Sequence, residues 1–183
     1  MPRDAGTRYP LSMQGDAVVE LYEALVHAGV DIWIDGGWAV DALVGRQTRS
    51  HDDLDIAVEA RRVGALREFL AERDYVESPS GESTPWNFVL ADPGGRRIDV
   101  HVVELDPELG VMGDPLDGIA YPAGALTGRG RIGSLPVNCV RADILLLFKT
   151  GYPPRAVDRH DVAALCALLG KPVPDTHLLI PDE

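Results

Sequence analysis

The residue types best suited to chemistry are three aspartates on two short, largely apolar stretches. In Asp52-Asp53-Leu54-Asp55-Ile56, residues two apart share one face of an extended strand, so Asp53 and Asp55 project together while Leu54 and Ile56 turn to a core. Adjacent carboxylates repel each other unless a cation lies between them. Such a pair suits Mg2+, which takes a few carboxylates plus water and phosphate oxygens; its other reading is a solvated acidic strand end. The second stretch, Arg97-Ile98-Asp99-Val100-His101-Val102, alternates in the same way, with Asp99 and His101 on one face. Alone it is a polar edge-strand face. Beside the first stretch it offers a third carboxylate, either a metal ligand or a general base for an attacking hydroxyl.

A glycine pair completes the set. Ile32-Trp33-Ile34-Asp35 runs straight into Gly36-Gly37, and a helix follows at once. Glycines at a strand-to-helix turn let backbone N–H groups approach an anion where the helix N-terminus favours negative charge, although most such pairs are only tight turns. Taken together, the three features describe a metal-dependent site for a nucleoside triphosphate, and the combination is far more specific than any member.

These side chains need a scaffold, and the hydrophobic pattern supplies one. Helical spacing of Val18, Val19, Leu21, Leu25 and Val26 predicts a helix over Asp16–Ala28, closed by Gly29. Strands are expected at Asp31–Asp35, Leu54–Val58, Tyr75–Glu77, Trp86–Ala91, Arg97–Val103 and Leu135–Val140. Further helices are expected at Trp38–Val44, Arg61–Arg73, Ala142–Thr150 and Val157–Leu169, while Leu105–Gly130, dense in Gly, Pro and Asp, reads as loop with at most short strands. The order gives an α+β fold: a mixed sheet flanked by helices over residues 1–140, followed by a C-terminal helical segment over 141–183.

Composition narrows the partners. The 183 residues are 45% hydrophobic and 25% charged, an ordinary globular profile. Apolar runs such as Ile144–Phe148 and Val162–Leu169 are too short to span a membrane, and the opening MPRDAGTRYPLSM has no signal-peptide core, so a cytoplasmic location is expected. A net charge of −12 argues against binding nucleic-acid backbones and accommodates cationic partners. Cys139 and Cys166, without metal-ligand spacing, read as buried free thiols.

The sequence resembles the DNA polymerase β-type nucleotidyltransferase superfamily, and within it the small lincosamide and aminoglycoside 2''-nucleotidyltransferases. The resemblance is carried by Trp33-Ile-Asp-Gly-Gly-Trp-Ala-Val-Asp41, Gly45-Arg-Gln-Thr-Arg49, His51-Asp-Asp-Leu-Asp-Ile56 and Ile98-Asp-Val-His101. Thr150-Gly-Tyr152 and Asp158-Arg-His-Asp-Val162 resemble the lincosamide enzymes' C-terminal helices, and the likeness is weakest between Glu104 and Leu135. It implies that Asp53 and Asp55 ligate two Mg2+ ions, that Asp99 is the base or a third ligand, and that Gly36 and Gly37 cradle the triphosphate of an NTP, taken as ATP. It places Arg46 and Arg49 near the β- and γ-phosphates and suggests a homodimer; Lys149 adds charge from the C-terminal helix, a lysine that the lincosamide enzymes do not clearly share.

Some roles stay open. His51 either holds its loop or touches phosphate. His101 either orients Asp99 or meets substrate. His160 and Asp161 contact substrate or nucleotide, or simply begin a helix where an aspartate suits the dipole. Trp33 and Trp38 read as core or wall. From Asp99 to Gly118 stand six acidic residues (Asp99, Glu104, Asp106, Glu108, Asp114, Asp117) and no Lys or Arg, a run that fits a polycationic acceptor or a solvated loop. The expected reaction moves a nucleoside monophosphate from NTP to a hydroxyl of a small molecule, an antibiotic by resemblance. The competing reading is an antitoxin-type or regulatory module that acts on or binds a protein partner.

Overall fold

Along Asp53–Glu59 the odd positions Asp53 and Asp55 are half-buried, while Leu54, Ile56 and Val58 have no exposed surface. That alternation makes this strand the spine of the fold. The computed structural model describes residues 12–78, 83–106, 110–112 and 121–178. In chain order the elements are α1 (Gly15–His27), β1 (Ile32–Ile34), α2 (Gly36–Val44), β2 (Asp53–Glu59), α3 (Val63–Ala71), β3 (Val76–Glu77), β4 (Asn87–Ala91), β5 (Arg97–Asp106), β6 (Gly110–Met112), β7 (Gly128–Ile132), β8 (Leu135–Cys139), α4 (Ala142–Lys149) and α5 (Ala156–Leu169). Short 3-10 turns precede α3 and β7 and follow α5.

The strands form one mixed sheet in the order β3-β4-β5-β2-β1-β8-β7, with β6 paired to the end of β5. The central pair β2 and β5 is parallel, as is β1 with β8; the remaining pairs are antiparallel. Leu54, Ile56, Ile98, Val100 and Phe88 bury essentially all of their surface in one continuous core, each worth about 2 kcal/mol of transfer free energy. Helix α1 packs on β1 and β7, and α2 lies over β2, β7 and β8. Helices α4 and α5 pack on each other and against α2. The α+β class and mixed sheet are as the sequence implied.

The expected loop over Leu105–Gly130 is corrected in its last residues. Gly128-Arg-Gly-Arg-Ile132 is a full strand, paired with β8 from Gly128↔Cys139 to Ile132↔Leu135. Its glycines lower strand propensity, which hides it in the sequence. They are needed for packing: a Cβ on Gly130 would come within 2.6 Å of the Ala42 backbone in α2, and one on Gly128 within 2.5 Å of the Cys139 carbonyl oxygen. The expected acidic run falls largely outside the described residues, since Glu108, Asp114 and Asp117 all do. Cys139 and Cys166 are free and buried. No helix among the described residues is long and apolar enough to cross a membrane.

Candidate active site

The strand register brings the carboxylates together. In the parallel β2/β5 pair, Asp53 lies opposite Arg97, Asp55 opposite Asp99 and Ala57 opposite His101. All six therefore share one face, and Asp53, Asp55, Asp99 and His101 open into a cleft of about 800 Å3. One ligand atom each from Asp55, Asp99 and His101 lies within 4.8 Å of the others. His101 Nε2 stands 3.9 Å from Asp55 Oδ1.

The electrostatics are those of crowded anions. Burial, reinforced by the Asp55 charge, raises the pKa of Asp53, and burial likewise raises that of Asp99. Burial would also raise Asp55, but His101 and the more distant Lys149 and Arg49 outweigh it and hold the pKa down. Burial opposes charge on His101, yet Asp55, Asp35 and Asp99 together lift its pKa to about 9. Asp99 Oδ1 is buried without any hydrogen-bond partner. An orphaned carboxylate oxygen among repelling anions, in a set of carboxylates with one imidazole, fits a divalent cation. Asp55, Asp99 and His101 are the groups whose ligand atoms converge there, with Asp53 on the same face.

The turn after β1 closes against this face. Asp35 caps α2, its carboxylate accepting from the Gly36 N–H at 2.7 Å. Gly36 has φ +56°, and a Cβ there would fall 1.9 Å from Asp55 Oδ2, so only glycine lets the turn lie on β2. A Cβ on Gly37 would collide with Arg49 Nη2 and His51 Nδ1, at 2.3 and 2.7 Å. Gly36, Gly37, Arg49, His51 and the carboxylates thus meet at one place.

Other expected site residues behave differently. Arg46 does not join this cleft: it is exposed and lines a separate pocket of about 280 Å3 with Gly15 and Arg131, because the loop leaves α2 on the far side. Asp161, expected to touch substrate, is 1% exposed and bound internally, accepting two hydrogen bonds from Arg49 and lying 2.8 Å from Lys149 Nζ. Lys149 lines the cleft and bridges Asp161 to Asp158, 3.9 Å away. His160 is half-buried, its Nε2 buried without a hydrogen bond, and it does not line the cleft. His51 is buried and bonded to Asp41.

Sequence reasoning missed Asp35 and Tyr121. Tyr121 donates to Asp35 Oδ2 at 2.8 Å and packs edge-on against Phe148, at 5.3 Å between ring centres. Burial and the Asp35 charge push its hydroxyl pKa far up. Asp35 carried a signal, since an aspartate immediately before a glycine-led helix is a favoured cap. Tyr121 carried none, standing after a stretch without periodicity.

A mixed sheet whose parallel central strands present an Asp-x-Asp pair beside a single Asp, with a glycine turn folded over them, defines a nucleotidyltransferase-type protein. Residues 17–165 match the model of the aminoglycoside-2''-adenylyltransferase family, and the chain belongs to that family. It is 26% identical over 149 residues to a lincosamide resistance protein of Staphylococcus haemolyticus, covering 81% of this chain and 89% of the relative. It is 54% identical over 111 residues to a 2''-aminoglycoside nucleotidyltransferase of Escherichia coli, covering 59% of this chain but only 56% of that protein. Among solved structures it is similar to the lincomycin-bound lincosamide antibiotic adenylyltransferase LnuA, with a TM-score of 0.77, 23% identity, and coverage of 86% of this chain and 99% of that one. ANT(2'')-Ia in complex with adenylyl-2''-tobramycin gives a TM-score of 0.70 at 23% identity, over 86% of this chain and 90% of that one. At such identities the structural matches establish the fold.

Proposed function

We propose that this chain is an NTP-dependent antibiotic nucleotidyltransferase that moves a nucleoside monophosphate to a hydroxyl of an aminoglycoside or lincosamide and releases pyrophosphate. The observation that carries the reading is the register of Asp55 opposite Asp99 beneath the Gly36 turn. Membership of the family, and relatives that act on both drug classes, support the acceptor. Asp53, Asp55 and Asp99 would hold divalent metal, taken as two Mg2+ ions, which when bound supplies neutralisation of charge on the reacting phosphates.

The chain's own groups do the rest. The Gly36–Gly37 turn and Arg49 receive the triphosphate, taken as that of ATP, with His51 buried behind Gly37, and Lys149 adds positive charge on the opposite wall. Asp99 Oδ1 faces the acceptor and takes its hydroxyl proton as the oxygen bonds to the α-phosphorus. The bond from that phosphorus to the β-phosphate oxygen breaks, and pyrophosphate leaves. Burial raises the basicity of Asp99, which favours it as proton acceptor. His101 braces Asp55 and faces the acceptor side. The same reading takes the protein as a cytoplasmic homodimer that binds no nucleic acid, in line with its net charge of −12.

The test is pyrophosphate release with Mg2+, each NTP being paired with a panel of aminoglycosides and lincosamides, and D99A as the blank. Release that requires one drug class and Asp99 is the expected result. Silence across the panel, with NTP binding intact, would transfer the assignment to a metabolite or protein acceptor.

A further inference from the structure

Asp41 lies outside the carboxylate face, on α2, yet it is 2% exposed and fully engaged. Its Oδ2 is 2.6 Å from His51 Nε2. Its Oδ1 accepts from the Thr48 backbone N–H at 3.0 Å and also from the Thr48 hydroxyl. A carboxylate only accepts, so the hydrogen of this imidazole sits on Nε2 and the ring orientation is fixed. Trp38 packs on the same ring, with centres 4.5 Å apart. Nδ1 is thereby turned toward the Gly37 turn.

One buried carboxylate thus pins the loop at two points, Thr48 and His51. Arg49 lies between them, and its Nη2 reaches the same spot beside Gly37 as His51 Nδ1. We infer that Asp41 is a positioning residue for nucleotide binding: through Thr48 and His51 it fixes, behind the Gly37 turn, the loop that carries Arg49 into the cleft, while Asp161 holds the Arg49 guanidinium itself. The inference rests on the nucleotide reading given above and adds the group that organises that site from behind.

The experiment is a double-mutant cycle read by calorimetric titration of Mg·ATP and Mg·GTP into wild type, D41N, H51Q and the double variant, with thermal melting of each. D41N is expected to weaken the tighter nucleotide about tenfold, H51Q by a similar factor, and the pair by no more than the larger single effect, because Asp41 acts through His51. A generally weakened fold would instead lower the melting temperature and give additive losses, which overturns the inference. So does D41N binding nucleotide like wild type. T48V, which removes one bond from the half-buried loop, guards against misfolding of D41N and is expected to cost about threefold; wild-type affinity in T48V counts against the inference. Wild type that binds neither nucleotide defeats the nucleotide reading itself, a result distinct from any pattern among the variants.

Discussion

Arg49 and Asp161 form a two-pronged ion pair across 112 residues of chain, Nε to Oδ1 and Nη2 to Oδ2 each at 2.8 Å. It joins the loop before β2 to helix α5, and Lys149 meets the same carboxylate from α4 at 2.8 Å. Three cleft-wall elements therefore converge on one buried anion.

Removing one partner of such a pair leaves buried charge uncompensated. D161N is expected to lose about 3 kcal/mol of unfolding free energy in urea, and R49K to recover little, because an ammonium lacks the planar fork. A loss in D161N below about 1 kcal/mol would reduce the pair to a surface contact.

The glycine turn makes a sharper prediction. G36A places a Cβ 1.9 Å from Asp55 Oδ2 and forces a side chain into φ +56°, a conformation costing roughly 1–2 kcal/mol. Turnover should fall at least a hundredfold, and melting should shift downward. Near-normal turnover would mean that the turn does not lie on Asp55 during catalysis.

The raised pKa values of Asp53 and Asp99 imply a trade of stability for activity. A carboxyl whose folded pKa lies above its unfolded value loses stability as pH rises from the unfolded toward the folded pKa, and that loss persists at neutral pH. D53N and D99N should therefore abolish turnover yet melt no lower than wild type at pH 7 in chelator. Added Mg2+ should raise the melting temperature of wild type more than that of either variant. A variant that melts well below wild type in chelator would contradict the crowding.

Asp158 predicts the opposite slope. Despite burial, Arg155 and Tyr152 hold its pKa down to about 2 from 3.8, through contacts of 2.8 Å from Arg155 Nε and 2.9 Å from the Tyr152 hydroxyl. Its contribution, on the order of 2 kcal/mol, is complete above pH 4 and disappears as pH falls toward 2. Wild type should lose stability over that window, and D158N should show a flatter profile. Identical acid profiles would place the acid-labile group elsewhere.

What could be read in advance follows from the range of the interactions. Alternation along Leu54, Ile56, Ile98 and Val100 specifies two strands with their aspartates on one face, because period-2 burial is a local property. That Asp55 stands level with Asp99 is set by parallel pairing between distant segments, and no residue type announces it. Arg49 is favoured over Arg46 in sequence because it stands just before the Asp53–Asp55 strand, and the path of the chain past Asp41 does send Arg49 to the cleft and Arg46 away. Gly128 and Gly130 mislead for a physical reason: they are strand residues chosen for the closeness of α2, so their propensity argues against the structure they serve.

The parallel pairing of β2 with β5 also bears on the order of events as the chain folds. A parallel pair cannot form as a hairpin, and here α3, β3 and β4 must be traversed before β5 reaches β2. Such closure is entropically slow. The full set of Asp53, Asp55 and Asp99 is complete only once β5 has docked on β2, so its full affinity for a divalent cation should appear only with that step. Cation uptake would then serve as a clock for the docking of β5 on β2.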